Sequence, residues 1–313
     1  MTRADWTAGL PRCLSSLLLA LTVTACSPRG FAERIVVRGD APAETGIAYG
    51  VSPQQVLDVY RPGASRTAAP VMVFLYGGRW SSGTRHEYKA LANAFTVRGW
   101  IVIVPDYRLY PDVKFPAWVE DAARAIRWTF DNAARLGGDT ARVSVVGHSA
   151  GGHTAALLAL DERYLRAAGV SPGSVRAYVS IAGPVETTWT DPDIQALMGP
   201  REGWAATYPA TFIDGTERPI LFLHGSDDRT VSYLNSMRLA ERIRARGGCA
   251  AARIYDGIGH VPIILAAMFP LLASAPVLDD VIRFVQDPAA QCARGGGVTT
   301  TAKDAAPVRR LPP

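Results

Sequence analysis

Histidine and cysteine are scarce in this chain: five and four among 313 residues. None of them falls into the clustered Cys/His spacing of a metal centre, so neither a metal nor an organic cofactor is expected. Charge is also sparse. Charged residues make up 19% of the chain and the formal net charge is +5. The basic residues are scattered, and the one tight pair, Arg309-Arg310, lies near the end. Without a basic stripe interleaved with aromatics, nucleic acid is not an expected partner. No internal repeat is present. The apolar run from Leu14 to Thr24 is too short to span a bilayer. What is abundant is apolar surface to bury. A hydrophobic content of 48% describes a globular protein with a large core, and the length allows one large domain or two small ones.

The first residues read as an export signal. Arg3 and Arg12 supply positive charge, the apolar run follows, and Val23-Thr24-Ala25-Cys26-Ser27 closes it. That last stretch resembles a bacterial lipobox: an aliphatic residue, two small ones, then cysteine. The resemblance implies that residues 1–25 are removed and that Cys26 carries lipid as the only membrane attachment. Serine rather than aspartate after the cysteine implies the outer membrane, hence a protein exported to the bacterial cell envelope. An ordinary signal peptide cut near Ala25 is the alternative. Such a compartment permits disulfides. With Cys13 in the leader and Cys26 at its end, Cys249 and Cys292 remain, one after each of two late helices. A bond between them would pin the C-terminal extension to the body; two free thiols is the other reading.

Between these ends the chain alternates strands and helices. Phe31 to Arg38 and Val56 to Tyr60 read as early strands. Val71 to Tyr76 and Trp100 to Val104 are apolar throughout, as in strands buried on both faces. Tyr88 to Val97, Ala117 to Leu136, Leu234 to Arg246 and Val277 to Val285 have helical spacing. Val175 to Ile181, Ile220 to Leu223 and Arg253 to Tyr255 are further strands. This order predicts an α/β fold, a mostly parallel central sheet with helices on both faces and the active site at the carboxyl ends of the strands. Residues 26–50 read as a linker with the first strand, 51–286 as the domain body, and 287–313 as a disordered tail rich in Gly, Thr, Ala and Pro. The Pro/Gly/Trp-rich segment 182–219 is a candidate insertion over the end of the sheet, with Trp189 and Trp204 as candidates for a substrate pocket or for packing.

One stretch carries chemistry. Val143-Ser144-Val145-Val146 runs as a strand into Gly147-His148-Ser149-Ala150-Gly151, and an Ala/Leu-rich helix leaves from Ser149. A G-x-S-x-G pentapeptide at a strand-to-helix junction lifts its serine to the top of a sheet. The helix leaving it aims free N–H groups at the place where an oxyanion would form. A serine hydroxyl is a weak nucleophile and needs a base, with a third group to orient that base. Five histidines permit elimination. His86 reads as surface, His148 points away from the serine inside the turn, His153 packs on the buried side of the helix, and His224 shapes a loop. His260 remains as the base, in a glycine-containing loop after the last strand. For the acid, His224-Gly225-Ser226-Asp227-Asp228 follows a strand and offers two carboxylates, one of which could instead cap the next helix.

These pieces together are similar to the α/β-hydrolase superfamily, and within it to carboxylesterases near hormone-sensitive lipase, bacterial feruloyl-esterase-like proteins and arylformamidases. The match runs from about Val51 to Gln286. It is carried by Leu57-Asp58-Val59-Tyr60-Arg61-Pro62, Tyr76-Gly77-Gly78-Arg79-Trp80, Asp106-Tyr107-Arg108-Leu109, Phe115-Pro116-Ala117, Gly137-Gly138-Asp139, Gly147 to Gly152, His224-Gly225 through Asp228 to Val231, and Gly259-His260. The resemblance implies that Asp228 is the acid, completing a set of Ser149, Asp228 and His260. It implies an oxyanion hole from the backbone N–H groups of Gly78, Arg79 and Ala150. The chain departs from the family at Tyr76, where histidine is usual, which leaves open how the loop is held. The implied activity is hydrolysis of a small-molecule carboxylic ester through an acyl-enzyme. Gly77-Gly78-Arg79-Trp80 also resembles the G-G-x-W of arylformamidases, so amide cleavage is one alternative, and a non-catalytic interaction protein on the same scaffold is another. The Arg79 side chain is expected either to pair with a loop carboxylate or to meet an anionic substrate.

Overall fold

Ile101 to Val104 is apolar at every position because both faces of its strand are covered. Ile101 and Ile103 pack with Leu57, Val59, Val71 and Leu136 on one side, while Val102 and Val104 join Phe95, Trp100 and Trp118 on the other. The computed structural model describes residues 42–63, 68–186, 188–293 and 299–301. In chain order its principal elements are β1 (Glu44–Ala48), β2 (Val56–Tyr60), β3 (Ala69–Leu75), α1 (Lys89–Thr96), β4 (Ile101–Pro105), α2 (Ala117–Asn132), β5 (Gly138–His148), α3 (Ala150–Leu160), α4 (Arg163–Ala167), β6 (Tyr178–Ile181), α5 (Pro192–Met198), β7 (Ile220–Gly225), α6 (Leu234–Ala245), β8 (Ala250–Tyr255), α7 (His260–Met268), α8 (Val277–Gln286), α9 (Pro288–Ala293) and β9 (Thr299–Thr301).

The strands form one sheet in the order β1-β2-β4-β3-β5-β6-β7-β8-β9. β2 is antiparallel to β1 and β4, and every other neighbouring pair is parallel. The parallel strands therefore share one carboxyl edge, where β5, β7 and β8 deliver the segments that begin at Ser149, Ser226 and Asp256. α3, leaving that edge, is buried at every residue and so shows no amphipathic stripe. Segment 182–219 does lie between β6 and β7, and it contains α5 and two 3-10 helices, Arg201–Thr207 and Pro209–Phe212.

The ends of the domain differ from the sequence reading. The expected strand Phe31 to Arg38 lies outside the described residues, as do the leader and Cys26. The first observed strand is β1, whose sequence Glu-Thr-Gly-Ile-Ala has no strand-like alternation. It is an edge strand held through its partner: Asp58 of β2 accepts hydrogen bonds from the Gly46 N–H at 2.9 Å and the Thr45 hydroxyl at 2.8 Å. The tail read as disordered from residue 287 is corrected at its start. Asp287 accepts the Ala290 N–H at 3.1 Å as α9 begins, and Cys249 and Cys292 form a disulfide with their Cα atoms 5.6 Å apart. Thr299–Thr301 then pairs with β8. Composition alone does not show that a covalent link holds α9 to the body. Residues 294–298 and 302–313 lie outside the described residues.

Candidate active site

Ser149 stands at the junction of β5 and α3 with φ 53° and ψ −117°, a conformation that non-glycine residues rarely adopt. Its surroundings hold it there. Its N–H donates to the Ile181 carbonyl at 2.8 Å, and its carbonyl accepts from the His153 N–H at 3.0 Å. The turn is too tight for side chains nearby. A Cβ on Gly151 would run into the Leu75 carbonyl, and one on Gly147 into the Gly151 carbonyl. The glycines of the pentapeptide are thus set by close backbone approach.

The Ser149 hydroxyl lies 2.9 Å from His260 Nε2, and His260 Nδ1 lies 2.6 Å from Asp228 Oδ2. A carboxylate oxygen can only accept, so Nδ1 carries the proton and Nε2 is free to accept from the serine. His260 is not in a loop, as its flanking glycines suggested, but is the first residue of α7. The apolar run Val261 to Met268 hides that helix because most of it is buried, and Pro262 falls in the first turn, where proline is tolerated. Asp228 is buried. Its Oδ1 accepts the Thr230 and Val231 N–H groups, both at 2.8 Å. Burial pushes its carboxyl pKa up, but hydrogen bonds from His224, His260 and Val231 outweigh that and hold it well below the usual carboxylate range. Asp227, the other carboxylate of the tandem, is exposed and hydrogen-bonds neither histidine.

His224 does more than shape its loop. Its Nε2–H is shared between Asp228 Oδ2 at 3.1 Å and the Val231 carbonyl at 3.0 Å, and its Nδ1 accepts from the Ser236 hydroxyl at 2.7 Å. One carboxylate oxygen therefore takes bonds from two imidazoles. The signal in the sequence is slight: a histidine at a strand end, four residues before the acid. His86 and His153 fall as expected. His86 is exposed, 3.4 Å from Asp58. His153 is buried and donates to the Thr207 carbonyl at 2.8 Å. His148 lies beside the candidate base: its Nε2 is 3.2 Å from the backbone carbonyl of His260, and the two rings are 5.1 Å apart between centroids.

These two buried imidazoles make the fold sensitive to acid. Burial, with His260 nearby in the first case, pushes His148 down to about 3; burial pushes His153 down to about 4. In the unfolded chain both protonate near the ordinary ~6.5. Between those values the unfolded state binds more protons, so stability falls as pH falls. Each histidine removes about 1.4 kcal/mol per pH unit across its window. Urea unfolding at about pH 7 and about pH 5 should show a clearly lower midpoint at the acid value. Equal midpoints would contradict this assignment.

The loop after β3 passes directly against the serine. A Cβ on Gly77 would stand 3.0 Å from Ser149 Cβ and 3.1 Å from His148 Nδ1. Gly78, Arg79 and Trp80 all have positive φ, at 131°, 57° and 56°. The Gly78 carbonyl turns inward to accept the Ser81 and Ser82 N–H groups at 3.1 and 3.0 Å. Tyrosines hold this loop. Tyr76 is buried and stacks on Tyr107, with ring centroids 4.5 Å apart. The Tyr107 hydroxyl donates to the Tyr76 carbonyl at 2.8 Å, and the Tyr88 hydroxyl accepts from the Gly77 N–H at 3.3 Å. This is the chain's solution to the absent histidine at position 76. Gly78 and Arg79 lie in this loop, and Ala150 opens α3, where helix geometry leaves its N–H without an intrahelical acceptor.

A cavity of about 170 Å³ opens on Ser149, lined among others by Arg79, Trp80, Ala150, Trp189, Ile194 and Val231. The Arg79 side chain pairs with Asp191 at 2.7 Å, the bland reading of the two. Asp191 also accepts the Asp193 N–H at 2.9 Å as the cap of α5. Trp80 is nearly fully buried and stacks on Trp118, so most of it is packing. Trp189 reaches the cavity. Trp204 does not; it donates to the Gly199 carbonyl within the insertion. Among the described residues no group of three or more His, Cys, Asp or Glu side chains is arranged to hold a metal.

A strand-turn-helix serine, an acid after β7 and a histidine after β8, on one edge of a mostly parallel sheet, define an α/β-hydrolase. The solved structures agree on this fold. A truncated carbohydrate esterase from gut microbiota superposes with a TM-score of 0.68 at 23% identity, covering 81% of this chain and 100% of that one. A phosphonate-inhibited esterase B from Lactobacillus rhamnosis superposes with a TM-score of 0.69 at 22% identity, covering 85% and 93%. The BD-FAE family model matches residues 57–243, and the chain belongs to that family. Among curated relatives, the esterase LipC of Mycobacterium tuberculosis is 32% identical over 221 residues, 64% of this chain and 54% of LipC. The carboxylesterase NlhH of the same organism is 42% identical over 102 residues, 32% of each chain. The chain spans about half, or less, of the length of these relatives.

Proposed function

We propose that the protein is a serine hydrolase that cleaves small carboxylic esters. One observation carries the reading: the continuous chain of hydrogen bonds from the Ser149 hydroxyl through His260 to Asp228, at 2.9 and 2.6 Å. As the Ser149 oxygen attacks the ester carbonyl, its proton passes to His260 Nε2. Asp228 holds the Nδ1–H and balances the imidazolium. The tetrahedral oxyanion is met by the backbone N–H groups of Gly78, Arg79 and Ala150, each such donor contributing about 10²–10³ in rate. His260 then protonates the departing alcohol, an acyl-Ser149 remains, and water repeats the sequence to release the acid. The cavity of about 170 Å³ between Trp80, Trp189 and Ile194 suits a short acyl group. The names of the relatives, esterase and carboxylesterase, support ester over amide. The leader and lipobox support export and a lipid anchor at Cys26, in the bacterial cell envelope.

A fluorophosphonate probe tests the nucleophile. It should add once, on the peptide that carries Ser149, and the adduct should vanish in Ser149→Ala. Folded protein that takes no label would overturn the assignment.

A further inference from the structure

The parallel strands have two ends, and the candidate site occupies only one of them. Ser149, the Asp228 loop and His260 follow the carboxyl ends of β5, β7 and β8. The opposite edge, where the parallel strands begin, carries an unusual concentration of uncovered apolar side chains. Val97, just after α1, is 82% exposed; Leu271 and Leu272, just after α7, are 97% and 88% exposed. All three border one groove of about 630 Å³, floored by Ala90, Ala94, Met268 and Phe269. Six large apolar residues are exposed among those described, and three of them meet here. Single exposed apolar residues are ordinary, whereas a contiguous group marks a contact surface.

Topology places this patch on the starting edge. Val97 lies four residues before β4 begins, and α7 starts with His260 at the site and runs about 13 Å to Met268. The chain enters the fold at the same edge. Glu44 pairs with Val59, and Val59 with Ile103 at the middle of β4; Ala48 pairs with Val56, beyond the β4 end at Pro105, whose partner is Leu57. β1 therefore runs in the same direction as β4, and the described chain enters from the end of the sheet that carries the patch rather than from the end that carries the site. Cys26 precedes residue 42 by sixteen positions, a segment that reaches about 50–58 Å when extended. Among the described residues that line the groove only Arg98 is charged, and it pairs with Asp279 at 3.4 Å.

We propose that this patch is a membrane-docking surface: Val97, Leu271 and Leu272 insert into the interface of a phospholipid bilayer, with the Ser149 site facing away into the aqueous space. The occupant is a lipid bilayer because the chain enters at this end of the sheet, with Cys26, the anchor inferred above, sixteen positions ahead of it, and the patch is the apolar surface at that end. A lipid chain and an apolar surface contact are each weak and reinforce one another when linked. With its charges paired, docking depends on apolar contact and not on anionic lipid.

The full chain, as its host processes it, is reconstituted into phosphatidylcholine vesicles after Leu272→Cys is labelled with an environment-sensitive fluorophore. Leu272 is nearly fully exposed, so the label leaves the fold intact. Vesicles should shift its emission to the blue and a nitroxide lipid should quench it, equally with and without phosphatidylglycerol. A label on Arg229→Cys, at the opposite edge, should behave as in water. A Leu272 label that stays water-like, or one already shifted without vesicles because a second copy covers it, overturns the proposal. The mass of the N-terminal peptide reports acylation of Cys26 separately. An acylated protein with an unquenched label defeats the docking surface and leaves the anchor standing.

Discussion

Ser149→Ala should lower kcat on p-nitrophenyl acetate by about 10⁵–10⁶, equivalent to roughly 7–8 kcal/mol of transition-state stabilisation. The cavity wall and the oxyanion donors are untouched by the change, so KM should move little. What disappears is the atom that the proposed mechanism acylates, and among the described residues no other hydroxyl is held against His260 Nε2. Removing one hydroxyl also relaxes nothing in the turn, whose strained conformation is held by backbone bonds to Ile181 and His153. Steady-state kinetics on purified variant, with near-UV circular dichroism to confirm the fold, measure this directly. A loss smaller than tenfold would exclude Ser149 as the nucleophile.

Asp228→Asn is expected to be almost as severe, about 10⁴ in kcat near neutral pH, for a reason readable in the hydrogen bonds. The Thr230 and Val231 N–H groups both point at Oδ1. An asparagine must keep its carbonyl oxygen there, which turns its NH₂ toward the position of Oδ2. That NH₂ would face His260 Nδ1 and the His224 Nε2–H together. His260 could then bond it only with Nδ1 deprotonated. The proton would move to Nε2, and the base could no longer accept from Ser149. His224 would meet donor with donor. The variant should therefore lose rate through the wrong tautomer and lose stability through a buried mismatch. Kinetics and urea unfolding together check both; a variant within tenfold of wild type in kcat would remove Asp228 from the site.

Much of this geometry could be read from residues alone, and the reasons differ from part to part. The central strands announced themselves because a strand covered on both faces is apolar throughout. Elimination singles out His260, the histidine set against the Ser149 hydroxyl, and it works only because histidine is rare. The order of Ser149, Asp228 and His260 came from family resemblance rather than from physics. Four things escaped. β1 is an edge strand stabilised by Asp58 of its neighbour, so its own sequence carries no pattern. α7 looked like a loop because helical periodicity vanishes when most of a helix is buried. His224 looked like a turn residue, since its bond to the acid exists only once the strand has placed both side chains. The ordered start of the C-terminal extension depends on a disulfide to Cys249, forty-three positions away, which local composition does not encode.

The pairing of Arg79 with Asp191 joins parts of the chain 112 positions apart, the loop after β3 and the insertion between β6 and β7, and both residues line the cavity on Ser149. On the proposed function the pair would act as a latch on that cavity. Enlarging that entrance for a bulkier ester means parting two charges that water already reaches, a contact of the kind that dissolved salt weakens. The range of substrates admitted is then a property of the medium as well as of the cavity. On the proposed function, the breadth of esters admitted would then widen in brine and narrow in fresh water.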